Sequence, residues 1–151
     1  MDERPDFRAA RQADWPAIEA LLKAAALPPD GAREHLLNFI VGEVDGKLCC
    51  VAGFEQYEQL GLLRSVAVSG PVRGRGVGER LLDAVKRRAK VQGISTLYLL
   101  TTTASPYFAA RGFAIIERAQ APVALHTSLQ FKGACPASAT TMAASLNNEA
   151  A

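Results

Sequence analysis

The chain has 151 residues, of which 49% are hydrophobic and 21% are charged, a composition that fits one globular domain with its own core. The net charge of +2 is too small to indicate a nucleic-acid surface, and no basic cluster is interleaved with aromatic residues. No apolar run approaches the roughly 20 residues that span a membrane. The acidic start at residues 1–5 is unlike a signal peptide. We therefore expect a cytoplasmic protein that binds neither membrane nor nucleic acid.

The hydrophobic pattern predicts alternating strands and helices. Asp14 is placed to cap a helix that has Pro16 in its first turn, and Asp45-Gly46 is a strong hairpin signal. The predicted elements, in chain order, are a strand at 7–10, a helix after Asp14, a shorter helix after Asp30, strands at 39–44, 47–54 and 62–68, a helix from Glu79 to Gly93, a strand at 96–101, a helix at 106–111, and strands at 114–118 and 123–131.

This order, β-α-α-β-β-β-α-β-α-β-β, predicts an α/β (α+β) domain over residues 1–133. Its central sheet should be mixed, mostly antiparallel, of about seven strands, and flanked by helices. Beyond residue 133 the chain is rich in Ala, Ser and Thr, which predicts a partly disordered tail over 134–151. The final hairpin could pair with a second copy, so a homodimer is one expectation.

The cysteines and histidines do not indicate a metal site. Cys49 and Cys50 are adjacent in a predicted strand, so their side chains should point to opposite faces of the sheet. Together with Cys135 we expect them to be buried reduced thiols, with an arsenic or zinc site as the alternative. His35 and His126 stand alone in the sequence and are interpreted as surface or core residues.

A glycine-rich turn, Arg73-Gly74-Arg75-Gly76-Val77-Gly78, lies between the strand at 62–68 and the helix that begins at Glu79. Glycines at such a turn let the backbone adopt positive φ and approach a ligand closely. The first helix amides have no partner within the helix and attract anions. The turn therefore predicts a phosphate or pyrophosphate site, to which the two arginines add charge. A solvated Gly-Arg turn is the alternative.

Two common phosphate-binding motifs do not fit this turn. A Walker A loop needs Lys and then Ser or Thr after its last glycine, whereas Glu79-Arg80 follow Gly78. A Rossmann fingerprint counted from Gly74 would need glycine at position 79, and no acidic residue ends the strand at 97–101. The acetyl-CoA pyrophosphate loop, Arg/Gln-x-x-Gly-x-Gly/Ala, is matched by Arg73, Gly76 and Gly78.

From about Phe7 to Phe131 the chain resembles the GNAT superfamily of N-acetyltransferases. The landmarks are the strand at 63–68, the loop at 73–78 and the sequence Tyr-Phe-Ala-Ala-Arg-Gly-Phe at 107–113. Within the superfamily, residues 99–102 followed by Phe108 and Gly112-Phe113 resemble the acetyltransferase domain of N-acetylglutamate synthases. Residues 135–139, Cys-Pro-Ala-Ser-Ala, resemble arsenic-resistance-associated N-acetyltransferases.

The resemblance implies acetyl-CoA as co-substrate, bound along the strand at 66–68 and the loop. A backbone amide, that of Val66, would polarise the thioester carbonyl. The residues expected to bind acetyl-CoA are Val66, Ala67, Val68, Arg73, Gly74, Arg75, Gly76, Val77, Gly78, Glu79, Phe108 and Arg111.

The expected proton donor departs from the superfamily pattern. Many members carry a tyrosine where this chain has Phe108, and the hydroxyl is one residue earlier, on Tyr107. One helical step rotates a side chain by about 100°, so Tyr107 is interpreted as a pocket or packing residue, with proton donation as the alternative. Glu55 and Glu58, near a strand end, are candidates for the base.

The acceptor is expected to be the amine of a small molecule, such as the α-amino group of an amino acid or of a toxic analogue. Arg8 and Arg64 could hold its carboxylate, and Thr101 is the further expected contact. The glutamate-acetylating family has Arg-Ser where this chain has Thr103-Ala104, which leaves other amines open. The rival hypotheses are a non-catalytic acyl-CoA sensor and an enzyme that acetylates peptides or proteins.

Overall fold

The structure is a computed structural model, and it describes residues 4–72, 76–134 and 138–146. Seven strands and three α-helices organise these described residues. The strands are β1 (Asp6–Ala9), β2 (Phe39–Val44), β3 (Lys47–Tyr57), β4 (Leu60–Val68), β5 (Thr96–Thr101), β6 (Ala114–Ile116) and β7 (Thr140–Ser145). The helices are α1 (Trp15–Ala24), α2 (Val77–Val91) and α3 (Ser105–Ala109).

The strands form one mixed sheet in the order β1-β2-β3-β4-β5-β7-β6. Only β4 and β5 pair in parallel; the other neighbours are antiparallel. The hairpin between β2 and β3 turns at Asp45 and Gly46, whose φ values of 52° and 78° are both positive, as a two-residue type I′ turn requires. The predicted fold class and hairpin are confirmed, and the shorter helix predicted after Asp30 is a 3₁₀ segment, Arg33–Asn38.

Helices cover both faces of the sheet. Ile18 and Leu22 of α1 pack with Phe39 and Val51 on one face. Leu81 of α2 belongs to a separate cluster on the other face. The sheet supplies apolar side chains to both clusters, because neighbouring strand residues point to opposite sides. No described helix is long and apolar enough to cross a membrane. The two helices thereby hold the sheet from both sides and leave the ends of β4 and β5 to form a cavity.

The strand predicted over residues 123–131 is wrong. Val123–Thr127 is a 3₁₀ segment, and a π turn follows at Gln130–Ala134. Leu125, Ser128 and Phe131 are buried, a spacing of three that matches one turn of a 3₁₀ helix. The pattern of apolar residues in this segment therefore reflects helical turns that cover Leu62, and not the alternation of a strand.

The last strand instead lies in the segment expected to be a tail. β7 pairs antiparallel with both β5 and β6, so residues 140–145 belong to the domain. Leu146 was expected to be disordered, but it is fully buried and its amide donates to the carbonyl of Ser95 at 2.8 Å. The two alanines of β7 have low strand propensity, and pairing on both sides overrides it. Residues 147–151 lie outside the described residues.

The two adjacent cysteines do not point to opposite faces. Gly42 pairs with Cys50 and Glu43 pairs with Leu48, so Cys49 is the extra residue of a β-bulge. Both thiols belong to the same core cluster, and burial raises the pKa of Cys49 and raises that of Cys50 to about 12. Cys135 lies outside the described residues, among which no group of three His, Cys, Asp or Glu could hold a metal. The absence of a metal stays a prediction.

Candidate active site

A cavity opens where β4 and β5 stop pairing. Their parallel pairing joins only residues 60–62 to residues 96–98, although β4 continues to Val68 and β5 to Thr101. The remainder of both strands lines a cavity of about 830 Å³, within the range typical of small-molecule sites. The described lining residues are 25–28, 63–68, 76–79, 99–104, Tyr107, Phe108, Arg111 and Gln130.

A bulge in β4 changes the direction of the backbone inside this cavity. Val51 pairs with Ala67 and Gly53 pairs with Arg64, so two residues of β4, Ser65 and Val66, lie opposite one residue of β3. Ser65 has φ of +60°, a left-handed conformation that a residue with a Cβ adopts only at a cost in energy. An extra residue in a bulge interrupts the ladder of backbone hydrogen bonds, so main-chain groups are available next to the cavity.

The first turn of α2 forms one end of the cavity. Gly76 precedes the helix with φ of +72°, and a Cβ built there would meet no other atom within 4 Å. Its backbone conformation, and not lack of space, therefore favours glycine. Val77, Gly78 and Glu79 follow along the cavity wall. Arg73, Gly74 and Arg75, predicted to bind the pyrophosphate, lie outside the described residues, so their role stays a prediction.

Tyr107 reaches this helix end from α3. A Cβ built on Gly78 would overlap the Tyr107 hydroxyl, so the hydroxyl lies against the second residue of α2. The Arg111 guanidinium stacks 3.6 Å from the centre of the Tyr107 ring, and its Nη1 donates to the Tyr107 carbonyl at 2.8 Å. Burial raises the pKa of Tyr107. Tyr107, Arg111 and Gly78 thus form one wall of the cavity.

Phe108 occupies the position where many members of the resembled superfamily carry a tyrosine. Its ring is buried and makes edge-on contacts with the rings of Tyr107 and Phe113, with centroids 5.2 and 5.8 Å away. It belongs to the core and also lines the cavity. A phenyl ring carries no acidic proton, so this position supplies no general acid.

Glu55 and Arg64 form a buried ion pair beneath the cavity. Nη1 of Arg64 donates to Oε2 of Glu55 at 2.7 Å, and the exposed fractions of the two side chains are 0% and 2%. Tyr57 donates to the other carboxylate oxygen, and Nε2 of His35 lies 4.0 Å from it. Burial, followed by the adjacent carboxylate, raises the pKa of Tyr57 to about 12.

These contacts bear on the predicted roles of Glu55 as the base and of Arg64 as the group that holds the acceptor carboxylate. Both carboxylate oxygens of Glu55 already have partners, and Glu55 is not among the residues that line the cavity. Arg64 does line it, but its guanidinium is shielded from solvent by Glu55, Ser65 and Pro28. The structure therefore does not bring either charged group to the cavity surface.

Arg8 lies elsewhere, on the edge strand β1. Its guanidinium donates two hydrogen bonds to Asp14, at 2.8 and 2.9 Å, and is 3.4 Å from Glu43. It is not among the lining residues. The expectation that Arg8 approaches the cavity is not met, because β1 is separated from β4 by two strands.

Sequence reasoning missed the far end of the cavity, which is formed by the loop at 25–28 and by Gln130. Gln130 is buried and sits in the segment that was predicted to be a strand. Thr101, expected to contact the acceptor, lines the cavity, and its hydroxyl accepts a hydrogen bond from the Ala104 amide at 3.0 Å. No local motif marks the far end, because its residues are distant from one another in sequence.

Residues 3–114 match the Acetyltransferase (GNAT) family, and the chain belongs to that family. An amino-acid acetyltransferase from Mannheimia succiniciproducens is 31% identical over 122 residues, which are 75% of this chain and 28% of the relative. The N-acetylglutamate synthase from Neisseria gonorrhoeae, solved with coenzyme A and N-acetyl-glutamate, aligns with a TM-score of 0.81 and 27% identity over 97% of this chain and 36% of that chain.

The family prediction is thereby confirmed. A protein from Mycobacterium tuberculosis, solved with CoA, shares the fold with a TM-score of 0.77 and 23% identity over 93% of this chain and 99% of its own. This chain spans only about a third of the length of the Neisseria gonorrhoeae synthase.

Proposed function

We propose that the chain transfers the acetyl group of acetyl-CoA to the amine of a small molecule, preferably the α-amino group of an amino acid or of a toxic amino-acid analogue. The observation that carries this proposal is the cavity that joins the first turn of α2 to the separated ends of β4 and β5. A helix N-terminus suits a pyrophosphate, and strand edges suit the amides of a pantetheine chain. The names of the related proteins support the amino-acid acceptor.

In this proposal the neutral amine attacks the thioester carbonyl within a ternary complex. A C–N bond forms, the C–S bond breaks, the nitrogen loses a proton, and the CoA thiolate gains one. The Val66 amide, beside the bulge at Ser65, donates a hydrogen bond to the carbonyl oxygen as its negative charge grows. The amides of Gly76, Val77 and Gly78 hold the pyrophosphate, together with Arg73 and Arg75.

Protons pass through water in this scheme. Phe108 has none to give, and the Tyr107 hydroxyl lies against Gly78, so we assign Tyr107 to the wall of the pyrophosphate site. Glu55 is enclosed by its partners and acts through Arg64 and not on the substrate. General acid or base help is worth about 10²–10⁴-fold, so the reaction proceeds without it at a reduced rate.

A second candidate function is a sensor that binds acyl-CoA without turnover. It is favoured by the phenyl ring of Phe108 and by the enclosure of Glu55, because neither offers a proton-transfer group to the cavity. Sensor and enzyme share the CoA site and differ only in whether thiol is released.

The deciding experiment measures free CoA thiol after mixing the protein with acetyl-CoA and single amines. The panel contains the common amino acids, their decarboxylated amines and short peptides. Thiol release with amino acids supports the proposal, and mass spectrometry should show the acetylated α-amine. Binding of acetyl-CoA by calorimetry with no release for any amine would support the sensor. Release with peptides alone would support a peptide acetyltransferase.

A further inference from the structure

We propose that Arg64 is a positioning residue whose guanidinium fixes the β4 bulge and the loop after α1, so that the Val66 amide faces the acetyl carbonyl. This inference rests on the proposed function, because it assigns a role inside the proposed acetyl-CoA site. It replaces the expectation that Arg64 binds the carboxylate of the acceptor. The argument starts from the three partners of the guanidinium.

Each nitrogen of the guanidinium contacts a different segment. Nε donates to Oγ of Ser65 at 3.0 Å, Nη1 donates to Oε2 of Glu55 at 2.7 Å, and Nη2 donates to the carbonyl of Pro28 at 3.1 Å. These partners belong to β4 itself, to the neighbouring strand β3 and to the loop that follows α1. One planar group therefore ties two parts of the cavity wall, β4 and the loop after α1, to β3 beneath them, which matches the fixed fork of an arginine.

The partner on β4 is the residue that most needs support. Ser65 has a positive φ of 60°, and such a conformation persists only where the surrounding structure enforces it. Ser65 is buried, and its hydroxyl accepts the hydrogen bond from Arg64. Val66, the next residue, shares the bulge. Loss of the guanidinium would let Ser65 relax, and the Val66 amide would turn with it.

The guanidinium cannot act on the substrate directly. The exposed fraction of its side chain is 0%, so the group presents no surface to a ligand in the cavity. Pro28 and Ser65, which it holds, both line the cavity. Its effect must therefore pass through the two walls that it connects. Glu55 supports the same geometry, because it accepts from Nη1 and is itself held by Tyr57.

The test uses acetyl-CoA labelled with ¹³C at the carbonyl and records the infrared band of the bound thioester. A hydrogen bond from Val66 lowers this frequency relative to free acetyl-CoA, and the readout needs no acceptor. Arg64→Lys keeps the charge beside Glu55 but cannot reproduce three fixed donors. The double variant Glu55→Gln/Arg64→Met removes the buried charges together and serves if the single variant does not fold. Arg8→Lys is the matched control on β1.

We expect the band of Arg64→Lys and of the double variant to move back to the position of free acetyl-CoA, with acetyl-CoA affinity within about twofold of the unaltered protein. The turnover number should fall by at least about tenfold, toward the 10²–10³-fold that loss of an oxyanion donor costs, at nearly constant acceptor KM. Arg8→Lys should leave the band unchanged.

An unshifted band in both Arg64 variants would overturn the inference. So would a tenfold rise in acceptor KM at constant turnover number, since that result indicates direct contact with the substrate. If the unaltered protein fails to bind acetyl-CoA, the proposed function fails and this inference falls with it. Calorimetry on the unaltered protein identifies that case, because no Arg64 variant is involved.

Discussion

The two ends of the cavity are built from different parts of the polypeptide. At the α2 end, the contacts offered to a ligand are main-chain amides, next to Gly76 with its positive φ and to Gly78. At the far end, the wall consists of the loop at 25–28, Gln130 and the backbone of β4, and the nearest charges are paired and shielded beneath it. The α2 end thus suits a phosphate group, which is the same in every CoA ester. The described residues of the far end offer no unpaired charge, so the shape of its wall selects the acceptor.

This difference explains why the proposed co-substrate is better defined than the acceptor. A helix N-terminus binds any phosphate in the same way, so its sequence pattern carries over between proteins. The side chains that select an acceptor must match one particular molecule. Here the arginine at the far end, Arg64, already donates to Glu55 and to the Pro28 carbonyl. The variants below test whether the two ends are as separate as the geometry indicates.

The largest effect is expected at the α2 end. Gly78→Glu should abolish measurable acetyl-CoA binding, because the carboxylate repels the pyrophosphate and the new side chain collides with the Tyr107 hydroxyl. Hydrogen bonds to charged groups contribute about 1.5–3 kcal/mol each, so loss of two should weaken affinity by about 10²–10⁴-fold. Titration calorimetry measures this loss. Gly78→Gln is the size-matched control, and affinity equal to that of the unaltered protein in Gly78→Glu would refute the pyrophosphate site.

The next effect is expected in stability, beneath the far end. Arg64→Ala should lower the free energy of unfolding by about 3–5 kcal/mol, because it leaves the Glu55 carboxylate buried without its charged partner. Urea denaturation followed by circular dichroism measures it. The double variant Glu55→Leu/Arg64→Leu should recover most of that loss, since it buries no charge. A loss below about 1 kcal/mol in Arg64→Ala would show that the carboxylate finds water or another donor.

A region could be predicted from the sequence where the residues that form it are close together in the chain, and not where they are far apart. Asp45-Gly46 is a local signal, and the hairpin confirms it. The glycine-rich turn is also a local signal; α2 follows it but begins at Val77, two residues before the predicted start at Glu79. The pairing of Glu55 with Arg64 depends on the register of β3 and β4, which places Arg64 opposite Gly53 and Glu55 opposite Leu62. The positive φ of Ser65 leaves no mark in the sequence, because serine is not a residue that signals it.

The errors at the end of the chain have a similar cause. The segment at 123–131 has an apolar pattern that suits a strand or a 3₁₀ helix, and only packing against Leu62 selects the helical turns. β7 combines two threonines, which favour strands, with two alanines, which do not, and its place between β5 and β6 is a property of the complete sheet. Tertiary context decided both segments, and with them the position of Gln130.

A smaller effect is expected from the ion pair outside the cavity, which should govern stability alone. Arg8 holds the pKa of the Asp14 carboxyl near 2, below its ordinary value of 3.8. A lowered pKa in the folded state stabilises the protein above pH 4, and that contribution is lost as the pH falls from about 4 to 2. We expect about 1–2 kcal/mol, measured by urea denaturation at pH 6 and pH 3.

Asp14→Asn is the matched variant for this prediction. It should lower stability at pH 6 and flatten the dependence on pH between 4 and 2, while acetyl-CoA affinity at pH 7 stays unchanged, because the pair is not part of the cavity lining. A change in affinity would show that β1 and the cavity are coupled, and the two ends could then not be treated as separate from the rest of the sheet.

The smallest effect is expected from Tyr107→Phe, which tests the α2 end from its other side. The Tyr107 hydroxyl lies against Gly78, and the aromatic ring that supports Arg111 is retained in the variant. Removal of the hydroxyl should therefore reduce the turnover number by less than tenfold and change acetyl-CoA affinity only slightly. Steady-state thiol release with the best acceptor from the amine panel, together with calorimetry, measures both.

A loss of about 10²–10⁴-fold in turnover at constant affinity is the range of general acid catalysis, and would show that the hydroxyl protonates the leaving thiolate. Tyr107→Phe combined with Gly78→Ala removes the overlap between the two residues, and so separates a steric role of the hydroxyl from a chemical one.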